Sequence, residues 1–392
     1  VGRNRNADWS VKTVMFDFIG LGNGLINVVL LLVILVGLVL VHEFGHFLVA
    51  RRSHVRVHEF GIGFPPRARV LGNDGETSYT LNWLPIGGFV KLEGEEGESV
   101  DPRAFVNQRL VIRLAILLAG VAMNFLLAFL IFAFIAGFAD PVATARIGFV
   151  QPDSPAAAAG LQGGQQTGTD AQGNAIYDET GDLIVAIDGQ RFPVFDWSDG
   201  TGGVPQSVYL RAHAGQTVTI TVRHLDGTQQ DVVATLRPAD QAADKGALGV
   251  RFVALPTENV QRGLVDALVI GFHRTVDAAT LILRGLGDLV VNITNPPVSG
   301  PVGIVDAIGT VRAELPPVFL LWFIGLLSAN LAVVNVLPFP PLDGGRIAVA
   351  LIQRLTGNRI SVAAERLAYV TGFILLMALL AWVTFFDIQR LG

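Results

Sequence analysis

The sequence predicts a multi-pass α-helical membrane protein of about four transmembrane helices, with a membrane-associated β-hairpin region and one inserted α/β domain. Three observations predict it. Of the 392 residues 51% are hydrophobic and only 16% charged, a balance more apolar than that of soluble domains. The apolar residues gather into four runs, about 25–50, 114–138, 319–336 and 368–386. Between the second and third runs lies a polar middle of domain size. The net charge of -5 argues against a nucleic-acid partner. There is no cysteine, so any metal must be held by His, Asp or Glu.

Residues 1–24 read as an N-terminal extension and are set aside. The first run spans a hydrocarbon core of roughly 30 Å and carries His42-Glu43-Phe44-Gly45-His46 in its C-terminal half. On a helix, residues four apart lie over one another, so both imidazoles can face one metal ion with Glu43 beside its water, which is a zinc hydrolase arrangement. A chance match is the alternative. Ionisable groups inside an apolar run are costly unless paired or metal-bound, and that favours a site. Arg51, Arg52 and Arg56 follow at once and place the next loop in the cytoplasm, so the site lies in the membrane toward its cytoplasmic face.

In that loop, Gly61 to Pro66 signals a turn and Tyr79, Leu81 and Trp83 alternate with polar residues before Pro85-Ile86-Gly87-Gly88-Phe89-Val90. These predict short hairpins that either dip into the membrane or rest on headgroups. Glu93, Glu95, Glu96 and Glu98 read as a solvated acidic run. The second run completes residues 25–139 and carries Asn124, a buried amide expected to bond a neighbouring helix.

Residues 140–257 read as a soluble domain. Ile147–Val150 predicts a strand, Ser154 to Gly160 a capped short helix, Asp182–Asp188 a strand, Val204–Ala212 a helix, and Val218–Arg223 with Asp231–Leu236 a strand pair. The order IGFV, SPAAAAGL, GDLIVAIDG resembles a bacterial PDZ domain, a family that holds extended peptide tails at a sheet edge. Residues 162–180 are an insertion relative to that pattern, read as a surface loop. Residues 258–316 hold an amphipathic helix from Val260, ended by Asn295-Pro296-Pro297, then a connector at Gly300-Pro301-Val302-Gly303. In residues 317–392 the third run leads into Asn335 to Arg346, where prolines 338, 340 and 341 forbid a regular helix and a broken segment holds Asp343. Asp343 is either the third metal ligand or the N-cap of the following helix.

His42 to His46 together with Asn335 through Gly345 resembles the paired signature of site-2 proteases, the metalloproteases that cut peptide bonds inside membranes. The likeness runs from about Leu25 to Phe386, and the single PDZ-like domain with Gly300-Pro301-Val302-Gly303 is similar to the bacterial branch that processes anti-sigma factors. The resemblance implies zinc (Zn2+) on His42, His46 and Asp343, Glu43 as general base, and Asn335 near the scissile carbonyl. It also implies that the hairpin, through Trp83, Ile86, Gly87, Gly88 and Phe89, pairs with transmembrane protein substrates. Asn124 joins that substrate-binding set through a second-helix motif matched only in part, since Val121 stands where the family has proline. The implied location is the bacterial inner membrane, with the PDZ-like domain extracytoplasmic. The alternative reading is a non-catalytic PDZ membrane adaptor with a structural metal, although structural zinc sites are closed and often use Cys.

Overall fold

In the computed structural model of the chain, residues 8–391 are described apart from 96, 98, 170–174, 196–204, 255–256, 293–295, 297 and 358–360. The expectations at Glu96, Glu98, Val204, Asn295 and Pro297, and for residues 1–7, lie outside the described residues. The chain divides into two compact units, Val1–Ala133 with Gly271–Gly392, and Phe134–Ile270.

In the first unit, helix α1 (Asp8–Arg52) starts well before the apolar run. No proline interrupts residues 8–24, so the helix continues through what the sequence suggested was a separate extension. Strands β1 (Val57–Asn73) and β2 (Ser78–Leu92) follow, and they form one long bent hairpin rather than several short ones. Glu59 to Ile62 is bracketed on one side by Lys91 to Gly88 and on the other by Ser78 to Leu81, while Arg67 to Asn73 pairs with Asn82 to Ser78. The bend is stitched by Asn82, whose Nδ2 donates to the carbonyl of Gly63 at 3.1 Å. The sheet lies on the C-terminal half of α1: Phe47 meets Phe60 and Tyr79, and Arg51 pairs with Asp74. Ala50, Val55, Val57, Val90, Leu92 and Phe105 close a core there with Ile116 and Leu117 of α2 (Leu110–Phe138). Each such aliphatic side chain, fully buried, contributes about 1.5–3 kcal/mol.

The second unit is built on a five-stranded sheet. Its chain order is β3 (Asp140–Ala143), β4 (Ala145–Val150), α3 (Pro155–Ala158), β5 (Gln166–Thr169), β6 (Ala175–Tyr177), β7 (Leu183–Ile187), β8 (Phe192–Pro193), α4 (Pro205–Ala212), β9 (Thr217–Arg223), β10 (Gln229–Thr235), α5 (Ala239–Lys245), β11 (Val250–Ala254) and β12 (Thr257–Val260). The sheet runs β10-β9-β7-β4-β11, and β12-β3-β8 forms a small second sheet. Ile147, Ile184, Ile187, Ile220 and Leu236 fill the core, and along β9 the inward Val218, Ile220 and Val222 alternate with Thr217, Thr219 and Thr221 as a half-buried strand requires. Ser154 caps α3 by accepting from the Ala157 amide, with proline at the first helical position. The insertion is more than a loop: β5 and β6 pair as a hairpin, and the Tyr177 ring lies tilted with its centroid 5.4 Å from that of Phe149. His224 is bonded to Asp182 at 2.7 Å, and that carboxylate holds it above the usual histidine range.

Helix α6 (Leu264–Val291) begins four residues later than the apolar pattern suggested, because Thr257–Val260 pairs with β3 as a strand. Beyond it come α7 (Pro301–Glu314), α8 (Pro317–Val336), α9 (Asp343–Thr356) and α10 (Val362–Leu391). The Gly300 to Gly303 connector is the start of a helix. Proline at its first position favours α7, and buried Asp387 of α10 accepts from the Gly303 amide at 2.9 Å. Helix α7 packs on α1 through Ile308 against Leu31, Ile34 and Leu38. Among the described residues four helical segments are long and apolar enough to cross a membrane: Gly24–Arg52, Leu110–Phe138, Pro317–Val336 and Ala363–Arg390.

Candidate metal centre

The break between α8 and α9 decides where Asp343 points. Gly344 sits against the carbonyls of Val336 and Leu337, and Gly345 against the backbone of Phe339 and Pro340; any Cβ at either would collide within 3.0 Å. The two glycines therefore let the proline turn fold flat onto the start of α9. Asp343 is the first residue of that helix and not its cap: the cap position is Leu342, which offers no side-chain bond. Its carboxylate turns instead toward α1. His42 Nε2 lies 2.9 Å from Asp343 Oδ2, His46 Nε2 lies 3.3 Å from the same oxygen, and the two Nε2 atoms are 3.1 Å apart.

The two imidazoles are held by α2. His46 Nδ1–H donates to the Ile116 carbonyl at 2.8 Å, which commits that nitrogen to the proton and leaves a lone pair on Nε2. Asn124 is fully buried, with its side-chain amide 3.3 Å from His42 Nδ1. Ser328 of α8 fixes Asn124 in turn by donating to its backbone carbonyl at 2.8 Å. This close assembly depends on small residues, as helix pairing in lipid does. A Cβ on Gly45 would strike the Ala119 carbonyl, and one on Gly120 would fall on the rings of His46 and His42.

Nε2 of both histidines and a carboxylate oxygen thus converge, all within 4.8 Å, with both histidines buried. Convergent lone pairs repel unless a cation or proton sits between them. Tetrahedral zinc with ligand bonds of about 2.0–2.2 Å spaces its ligand atoms roughly 3.3–3.6 Å apart; one edge here, 3.3 Å, meets that and the other two, 2.9 and 3.1 Å, are shorter, so the ligands need only spread slightly to admit the ion. The donor set fits zinc. Three protein ligands leave a fourth position open, the feature of a catalytic site. Glu43, one residue from His42, is half-buried, and its carboxylate has no hydrogen-bond partner among the described residues.

The matched residues and relatives agree with this geometry. The family model for Peptidase family M50 matches residues 30–379. The chain belongs to peptidase family M50, the site-2 proteases. Similar proteins include a candidate zinc metalloprotease of Clostridium acetobutylicum, 33% identical over 367 residues covering 92% of this chain and 97% of that one. The zinc metalloprotease RasP of Oceanobacillus iheyensis is 28% identical over 90% of this chain and 96% of its own. The regulator of sigma-E protease RseP of Salmonella typhimurium has the same identity and coverage. This M50 protein is a multi-pass membrane zinc metalloprotease, which removes the adaptor alternative.

The other sequence candidates have distinct surroundings. Gly88 rests on Leu40 and Gly87 on Val39, so the second half of β2 lies along α1 a turn before His42. Phe89 is half-buried against Phe64, Trp83 is exposed near the bend, and the Ile86 side chain is outside the described ones. Asn335 lies in the last turn of α8, and its amide has no hydrogen-bond partner among the described residues. Sequence reasoning missed the Ile116 carbonyl, Ser328 and Gly120. Only Gly120 left a signal, a glycine four residues before Asn124. It also misread Glu93 and Glu95 of the acidic run, since Glu93 bonds Ser99 at 2.6 Å and Glu95 pairs with Arg346.

Proposed function

We propose that this M50 protein cleaves transmembrane segments of membrane-protein substrates, anti-sigma factors among them, at a site toward the cytoplasmic side of a bacterial inner membrane. The observation that carries the reading is the meeting of His42 and His46 with Asp343, 301 residues away in the chain from the first of them. Zinc held by these three would supply Lewis acidity and lower the pKa of a bound water to about 7. Glu43 takes the proton from the attacking water at its carboxylate and returns it to the leaving amine. Asn335, with its amide unspent, donates to the scissile carbonyl oxygen as charge develops there. Asn124 orients His42 from its far side. A helical substrate hides its backbone, so it must be unwound first. The stretch Trp83, Ile86, Gly87, Gly88 and Phe89 presents strand backbone beside α1 and holds it extended by strand addition.

The 140–257 segment is read as a PDZ-type domain, supported by its five-stranded sheet, whose edge strand β11 pairs only with β4 among the described strands. The basic residues after the first span put it outside the cytoplasm, where peptide tails bind. We assign it the role of a size filter. Strands β3 and β12 pair from Ala143↔Thr257 to Asp140↔Val260 and bring the two ends of the domain together, so residues 146–252 can be deleted without stretching the chain. The test compares wild type with that deletion on transmembrane substrates carrying or lacking a bulky external domain. Wild type should cut only the trimmed form, and the deletion both. Discrimination that survives the deletion removes the filter, and absence of any cleavage by wild type removes the substrate class.

A further inference from the structure

Asp343 has to be held in register with two imidazoles on a different helix, yet the turn that delivers it is a run of prolines without helical hydrogen bonds. As the first residue of α9 it has no preceding turn of its own helix to lean on. Beyond the close packing of Gly344 and Gly345 on the proline turn, the next turn of α9 is where a side chain can fix its register. Arg346 stands there, three residues on and therefore on the same side of α9. Its guanidinium pairs with Glu95 and lies 6.0 Å over the ring of Tyr369, whose hydroxyl donates to Glu365 at 3.0 Å. Glu95 in turn accepts from the Leu92 amide at 3.2 Å, at the end of β2. Both side chains of the pair are partly withdrawn from solvent, Glu95 at 19% and Arg346 at 34% exposure, unlike a solvated acidic face.

We propose that Glu95 and Arg346 are positioning residues for the metal site: their ion pair fastens α9 to β2 and so sets Asp343 against His42 and His46. The mechanical path is closed. Strand β2 rests on α1 at Gly87 and Gly88 and ends at Leu92, Glu95 in the following turn is bonded back to the Leu92 amide, and Arg346 joins Glu95 to the turn of α9 that follows Asp343. Ile347 reinforces the same attachment by packing against the core of Ala50, Val55, Val90 and Leu92. Catalytic ligands need such support, because a site whose supporting shell is loose by about 1 Å loses function.

The inference rests on reading His42, His46 and Asp343 as the zinc ligands, and the experiment keeps the two apart. Zinc release into excess chelator is timed for the full chain in wild type, E95Q, R346Q and the double variant, at a temperature where tryptophan fluorescence shows all four folded. Each single variant should release zinc about tenfold faster. The double variant should be no faster than the faster single, because both changes break one link and the double leaves no unpaired charge. Singles at the wild-type rate, or a double whose effect is the product of the two, overturn the proposal. If Asp343→Asn holds zinc as tightly as wild type, it is the ligand reading that fails.

Discussion

Replacing Glu43 by glutamine is expected to lower kcat by roughly 10²–10⁴-fold while zinc stays bound. The amide keeps the size of the carboxylate but cannot accept the proton of the attacking water. Glu43 makes no hydrogen bond among the described residues, so the change disturbs no structural contact there. His42 and His46 keep the bonds to Asn124 and Ile116 that orient them. Turnover and zinc content measured on the same preparation check this. Cleavage at the wild-type rate, or loss of zinc with Glu43→Gln, would remove Glu43 from the role of base.

Gly120→Ala should be nearly as damaging without touching any reacting group. A methyl at 120 would lie under 3.0 Å from both the Nε2 and Cε1 atoms of His46 and from Cε1 of His42, so both rings must move or the helices part. Parting α1 from α2 costs about 1–3 kcal/mol of packing. Displacing both imidazoles by on the order of 1 Å costs about 10²-fold in turnover, with zinc affinity falling alongside. Gly37→Ala is the control, because a Cβ there meets nothing within 4 Å. Equal zinc affinity in the two variants would mean that α2 does not shape the site.

Much of this was legible in the sequence because it was local. Residues four apart on a helix share a face, so His42 and His46 could be paired from spacing alone, and prolines 338, 340 and 341 announced the break that precedes α9. Distant contacts were not legible. The bent hairpin is paired on both sides of Glu59 to Ile62, and alternation along a strand says nothing about which partner lies on each side. Glu95 looked like one of several solvated glutamates, and only the fold supplies Arg346. Gly300 to Gly303 read as a connector because the carboxylate at the start of α7 comes from Asp387, 84 residues later. Glycines 45 and 120 carry no chemistry of their own; their meaning is the backbone and ring that approach them.

The proposed mechanism requires His42, His46 and Asp343 to grip one ion. Anomalous diffraction at the zinc edge from crystals of the purified protein tests it most directly. The expected result is a single strong peak bonded at about 2.0–2.2 Å to Nε2 of His42, Nε2 of His46 and an Asp343 carboxylate oxygen. A zinc peak elsewhere, or one that leaves Asp343 outside bonding distance, would contradict it.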